Sequence, residues 1–210
     1  MNRTQEKLLS IFLLAISLPI QLLVAIVISM QLGRPVLFHQ RRAGLNGRTI
    51  MVSKFRTMTD ARDSAGDLLP DDQRQTKLTR LIRRLRLDEL VQLFLICRGD
   101  MSLVGPRPLL PETLSSFGRL GEVRNSVKPG LTGWAQVSGN TRLTDKEKLS
   151  LDLWYVGHRS FALDMRILAE TLLVPFRGEI RNDRRLDDAK AWLRQSPESP
   201  ASAELVGGLA

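Results

Sequence analysis

The sequence predicts an α+β fold: an N-terminal apolar helix broken by a proline, then a small, mostly helical domain with one short β-hairpin and interfacial amphipathic helices. Three observations carry this. Residues 8–30 hold no charged side chain, and about 20 apolar residues suffice to cross a bilayer. Two strand-like runs, 36–38 and Thr49–Phe55, flank Asn46-Gly47, a pair suited to a tight primed turn. Leu78, Leu81, Ile82 and Leu85 recur at helical spacing, with basic residues covering the opposite face.

A chain of 210 residues favours one main domain with a substantial core. The expected division is a membrane-embedded segment at 1–33, a domain at 34–180 and a polar, largely disordered tail at 181–210. A net charge of +9 and a pI near 10.5 point to polyanionic partners: lipid headgroups, phosphorylated small molecules or nucleic acid. One cysteine, Cys97, excludes an intramolecular disulfide, and with only His39 and His158 a structural zinc site has no ligand set.

The apolar run is longer than the core of a signal peptide, and Gln31-Leu32-Gly33 follows it instead of a small-residue cleavage site. Pro19 lies near its middle, where the missing N–H and the ring kink or break a helix; Ser17 and Gln21 flank it. Basic residues lie on both sides: Arg3 and Lys7 before, Arg34, Arg41 and Arg42 after. A helix that bends at Pro19 and leaves by the face it entered, and one that spans, both remain open. Gly33-Arg34-Pro35 closes the segment. In the hairpin, Arg41 and Arg42 favour a surface position. Lys54 and Arg56 alternate around Phe55 and share one side of the strand, where they line a site or face solvent. Residues 59–76 form a polar, acidic loop whose aspartates lack the spacing of a calcium loop.

In 77–86, Lys77, Arg80, Arg83, Arg84 and Arg86 lead directly into Asp88 and Glu89. Cations beside an acidic pair suit a site that holds phosphates and a divalent metal together; the competing reading is a solvated helix with an acidic cap. Adjacent helical side chains diverge by about 100°, so the two carboxylates suit different duties. One is a nucleophile or ligand, the other a metal ligand or proton acceptor. In 103–108 two prolines hold Arg107 on a stiff backbone, a setting for bidentate phosphate contact or for a solvent-facing arginine. Lys128, Thr132, Trp134 and Gln136 are candidate contacts to a substrate or its base, and Trp134 alternatively fills the core or anchors at an interface. Residues 134–137 read as a strand. Neither a P-loop nor a dinucleotide fingerprint occurs. Thr144 and Glu147 form a capping box for the next helix; another runs from 160 to 176 with Pro175 helping to stop it, 189–193 is helical, and 195–210 is disordered.

Taken in order, the apolar N-terminus, PVLFHQRRAGLNGR, SKFRTM, LRLDEL, RGDMSLVGPRP, KPGLTGWAQVSG and LDLWYV resemble the bacterial sugar transferase family, over residues 8–178. These are monotopic phosphoglycosyl transferases that begin surface-glycan assembly. The resemblance implies transfer of a sugar 1-phosphate from a UDP-sugar to polyprenyl phosphate, releasing UMP through a phosphosugar–enzyme intermediate, with Mg²⁺. It implies Asp88 as nucleophile, Glu89 as metal ligand or proton acceptor, and a role for Asp88 in holding the metal. Lys54, Arg56, Arg86 and Arg107 are implied as phosphate contacts, and Pro19 as the break in a re-entrant helix. The implied setting is the bacterial inner membrane, active site to the cytoplasm, among phospholipids, with no nucleic-acid partner; a homodimer is one option and the oligomeric state stays open. Leu18 and Val91 stand where the family commonly has Ser and Pro. The competing classes are a noncatalytic basic membrane scaffold and an anionic-lipid or nucleic-acid binding protein. The sugar and the glycan pathway stay open.

Overall fold

The computed structural model describes residues 3–195, which are mostly helical with two small sheets and fall into two compact units. One unit comprises Lys7–Gln40 and Met51–Arg98; the other draws, among the described residues, on 3–6, 41–50 and 99–195.

The first unit is built around the apolar helix. Helix α1 (Arg3–Leu32) is 30 residues long, about 45 Å at 1.5 Å per residue, and is long and apolar enough to cross a membrane. It runs through Pro19 without interruption, where the sequence leads one to expect a break. Gln21 Nε2 donates to Ser17 Oγ at 2.9 Å and Ser17 Oγ donates to the Leu14 carbonyl, knitting the turns on either side of the proline. Only a narrow stripe, Ser10, Ser17, Val24 and Ile28, is buried, while Leu8, Phe12, Leu22, Leu23 and Met30 are exposed. Gly33, at φ +70°, ends the helix in the left-handed region that glycine adopts without penalty.

Strands β1 (Leu37–Ala43) and β2 (Thr49–Phe55) pair across the turn Leu45–Gly47, in which Asn46 and Gly47 both take positive φ, as a primed turn requires. Helix α2 (Lys77–Arg84) starts in a reciprocal Thr76–Thr79 cap. It buries Ile82 with Val24, Ile28 and Phe55 but leaves Leu78, Leu81 and Leu85 exposed. A 3₁₀ segment (Leu87–Gln92) and helix α3 (Leu93–Arg98) complete this unit.

The second unit holds a parallel pair, β3 (Ser102–Val104) and β4 (Gly130–Thr132), in register Ser102 to Gly130 and Val104 to Thr132. The chain at Gly105 approaches so closely that a Cβ there would lie 2.5 Å from the Lys128 carbonyl oxygen. Around them lie α4 (Pro111–Ser115), α5 (Gly118–Arg124), α6 (Trp134–Val137), α7 (Asp145–Gly157), α8 (Phe161–Arg177) and α9 (Asp183–Gln195). The capping box at α7 forms as the sequence predicts.

Three expectations are corrected here. Residues 134–137 form a helical turn, not a strand: the Gly133 carbonyl accepts from the Val137 N–H, closing a turn that buries Trp134, Ala135 and Gln136. Pro175 does not stop α8, which contains it and ends at Gly178 with φ +76°. Much of the supposed tail is α9, whose Leu186, Ala189 and Leu193 are buried. Its Trp192 packs against Leu120, Leu149 and Leu153, covering Gly157 so closely that a Cβ there would lie 2.6 Å from the indole. The disorder expected for 196–210 lies outside the described residues.

Candidate active site

Asp88 and Glu89 owe their placement to a backbone reversal that the helical periodicity does not announce. Helix α2 ends at Arg84, and Arg86 takes φ 57°, ψ 22°. A left-handed conformation costs a non-glycine residue of order 1 kcal/mol or more. The chain then enters the 3₁₀ segment with Asp88 and Glu89 in its first turn, both 8% exposed. At about three residues per turn, neighbouring side chains diverge by about 120°. That periodicity sets the two carboxylates on different faces of the turn, while the charge of Glu89 still acts on Asp88.

The charge around them is mixed. Arg86 Nη1 stands 3.7 Å from Glu89 Oε2. Asp88 is pushed up to about 6, first by burial and next by the charge of Glu89; Lys54 and Arg83 pull the other way. The structure therefore brings Lys54, Arg83, Arg86, Asp88 and Glu89 into one electrostatic neighbourhood. Lys54 also lies over Phe38, 5.5 Å from the ring centroid. Arg83, on the basic run but not singled out by the sequence, joins the site because α2 presents it toward the dyad.

Arg56 is placed differently from its strand neighbour. Its Nη2 donates to the Leu32 and Gly33 carbonyls at the end of α1, and its buried Nε has no hydrogen-bond partner. That guanidinium secures a helix terminus.

Among the described residues no group of three or more His, Cys, Asp or Glu side chains clusters as a metal site. Two adjacent carboxylates, one with its proton affinity raised by burial and then by the other's charge, nevertheless match a small hard cation. Mg²⁺ is commonly held by one or two carboxylates, with water and substrate phosphates completing its shell. The donor set fits.

The remaining candidates lie in the second unit. Arg107 forms part of the wall of a cavity of about 270 Å³, with Arg42, Gln136, Asn140 and Lys148. Lys128 is half-buried in the approach to β4. Thr132 Oγ1 is bonded to Thr171 Oγ1 at 2.7 Å, and Gln136 Nε2 donates to the Leu131 carbonyl. Trp134 is 4% exposed, stacked on Trp154 at 5.3 Å with the Arg185 guanidinium 4.1 Å from its ring centroid. Its ring contacts are thus core contacts.

The sequence profile described as Bacterial sugar transferase matches residues 1–178. The uncharacterized sugar transferase EpsL of Bacillus subtilis is 49% identical over 163 residues, covering 78% of this chain and 81% of that protein. The undecaprenyl-phosphate glucose phosphotransferase of Komagataeibacter xylinus is 42% identical over 177 residues, 78% of this chain but 33% of its own length. The exopolysaccharide production protein PSS of Rhizobium leguminosarum is 36% identical over 182 residues, 78% and 89% of the two chains. The chain thus spans most of the two shorter relatives and about a third of the longer one.

Proposed function

The chain belongs to the bacterial sugar transferase family, and from that premise we propose that it moves a sugar 1-phosphate from a UDP-sugar to undecaprenyl phosphate, releasing UMP. The observation that carries this is the seating of a buried Asp-Glu pair, with Lys54, Arg83 and Arg86 around it, in the unit built on a membrane-length apolar helix. A lipid-borne phosphate acceptor and a soluble phosphorylated donor would both find their charge matched there.

In the proposed route the Asp88 carboxylate attacks the β-phosphorus of the donor. The bond to the bridging oxygen breaks and UMP departs, leaving the sugar phosphate on Asp88. An oxygen of undecaprenyl phosphate then attacks that phosphorus, and the bond to Asp88 breaks. Glu89 takes the acceptor's proton or shares in holding a cation. Lys54 and Arg86, in the unit of the dyad, hold phosphate oxygens, and Arg107, in the other unit, is given a substrate-phosphate contact of its own. Mg²⁺ bound by the two carboxylates would supply charge stabilisation for the transferred group.

Membrane attachment through α1 belongs to the same proposal: α1 stays helical through Pro19, and a bend at that proline, whose ring and missing N–H loosen the backbone, would return the chain to the face it entered, so that both flanks and the active site face the cytoplasm. Both ends of α1 have polar protein partners: Glu6 accepts from Ser102 Oγ and the Leu103 N–H, and the Leu32 and Gly33 carbonyls accept from Arg56. Thiol labelling of cysteines introduced before and after α1 in intact cells tests it; a periplasmic signal from either flank rejects re-entry.

For the reaction, detergent-solubilised protein with Mg²⁺, undecaprenyl phosphate and a panel of UDP-sugars is expected to release UMP. No UMP from any donor sinks the reading for that panel and favours a noncatalytic scaffold. Equal release by Asp88→Asn removes the nucleophile.

A further inference from the structure

The backbone that carries Arg107 is held at every residue from 105 to 109. Gly105 N–H donates to the Thr132 carbonyl at 2.9 Å, and the Pro106 carbonyl accepts from Gly130 N–H at 2.9 Å. The Arg107 carbonyl accepts from Arg124 Nη2 at 2.6 Å, the Pro108 carbonyl from Arg42 Nη1 at 3.3 Å, and the Leu109 carbonyl from Ala43 N–H at 2.8 Å. Strand pairing explains the first two. The next two are unusual, because they take arginine side chains and one of those is 2% exposed.

Arg124 is the hub of this arrangement. Its Nε and Nη2 lie 2.9 and 2.8 Å from Asp152 Oδ2, and its Nη1 donates to Asn125 Oδ1 at 3.0 Å. Asn125 in turn donates through Nδ2 to the Gly44 carbonyl at 2.8 Å and accepts at its own carbonyl from Asn46 N–H. A buried ion pair is weak evidence of stabilisation, since a well-packed apolar pair often does as well. Only a planar fork with several donors spans a carboxylate, an amide and a carbonyl at once.

We propose that Arg124, oriented by Asp152 and assisted by Arg42, is a positioning residue that fixes the Arg107 backbone for contact with a substrate phosphate. This rests on the phosphate role given to Arg107 above. With its backbone pinned and flanked by two prolines, Arg107 surrenders less conformational entropy when it closes on a phosphate.

The test is a double-mutant cycle on the full-length protein in detergent, with UDP and Mg²⁺ as the binding probe and UMP release as a parallel readout. Thermal unfolding is recorded for every variant. Arg107→Lys and Arg124→Lys are each expected to weaken UDP binding by about tenfold, and the double variant to bind no worse than Arg107→Lys alone, because Arg124 acts through Arg107. A roughly hundredfold loss in the double variant overturns the proposal, as does wild-type binding by a folded Arg124→Lys protein. Wild-type binding and turnover in Arg107→Lys defeats the phosphate role itself and the positioning role with it, so the two failures are distinguishable. Should Arg124→Lys not fold, Arg42→Ala takes its place in the cycle. A loss of about threefold that vanishes in the Arg107→Lys background is then expected, and a loss that persists there overturns the proposal.

Discussion

Asp88 and Asp152 are both buried aspartates, one in each unit, and burial pushes the carboxyl of each upward. They differ in what stands beside them. Asp152 has the Arg124 guanidinium at 2.8 Å, and that guanidinium spends its other donors on neighbouring backbone and amide oxygens. Asp88 has a second carboxylate as its neighbour, with Lys54 and Arg83 acting on it through space. A carboxylate paired through Oδ2 with a guanidinium holds a fold together, even with its buried Oδ1 left without a hydrogen-bond partner. One held beside like charge stores an imbalance that a cation and a phosphate relieve, and such sites are where function concentrates.

Neutralising each aspartate separates the two roles. Asp88→Asn is expected to lower UMP release by on the order of 10⁴-fold or more, with a melting temperature equal to or above that of the wild type because a strained buried charge has gone. Asp152→Asn leaves Arg124 as a buried charge without its counterion and is expected to cost about 3–5 kcal/mol of stability, read by chemical denaturation. A large stability loss in Asp88→Asn, or none in Asp152→Asn, would collapse the distinction between them. Trp192→Ala is the intermediate case: it removes one of the side chains by which α9 packs against Leu120, Leu149 and Leu153, and leaves Leu193 in that cluster. It is expected to cost about 2 kcal/mol while turnover per folded molecule stays at the wild-type level.

The same contrast explains what the sequence made legible. The dyad, the apolar run, the Asn46-Gly47 turn and the Thr144–Glu147 cap are local signals whose chemistry lies within a few residues. Arg124 and Asp152 offered no such signal: an arginine in GEVRN and an aspartate in LDLW look like surface positions until distant elements converge on them. Arg42 read as a surface residue for the same reason, although its guanidinium reaches the Pro108 carbonyl. WAQV carries an aromatic and a β-branched residue and so reads as a strand, yet it closes a single helical turn, Val137 N–H to the Gly133 carbonyl, that buries Trp134. Helix α9 was more accessible. Leu186, Ala189 and Leu193 recur at three- and four-residue intervals, a helical stripe hidden by the polar composition around it. The left-handed Arg86 was invisible, because no local preference favours an arginine there and the apolar periodicity continues across it.

The smallest effect belongs to a third carboxylate, which moves in the opposite direction. Glu147 is drawn down to about 2, first by its hydrogen bonds from Arg181, with its bonds to Thr144 adding to them against the cost of burial. A carboxylate whose folded-state affinity for protons is depressed contributes stability above its ordinary value near 4.5. That contribution is lost as pH falls from there toward 2. In Arg181→Ala the melting temperature should therefore fall slightly at pH 7 and converge on the wild type as pH drops through that window. A constant gap between Arg181→Ala and wild type from pH 7 to pH 2 would show that Arg181 acts through packing alone. The ion pair would then say nothing about how this unit holds its carboxylates.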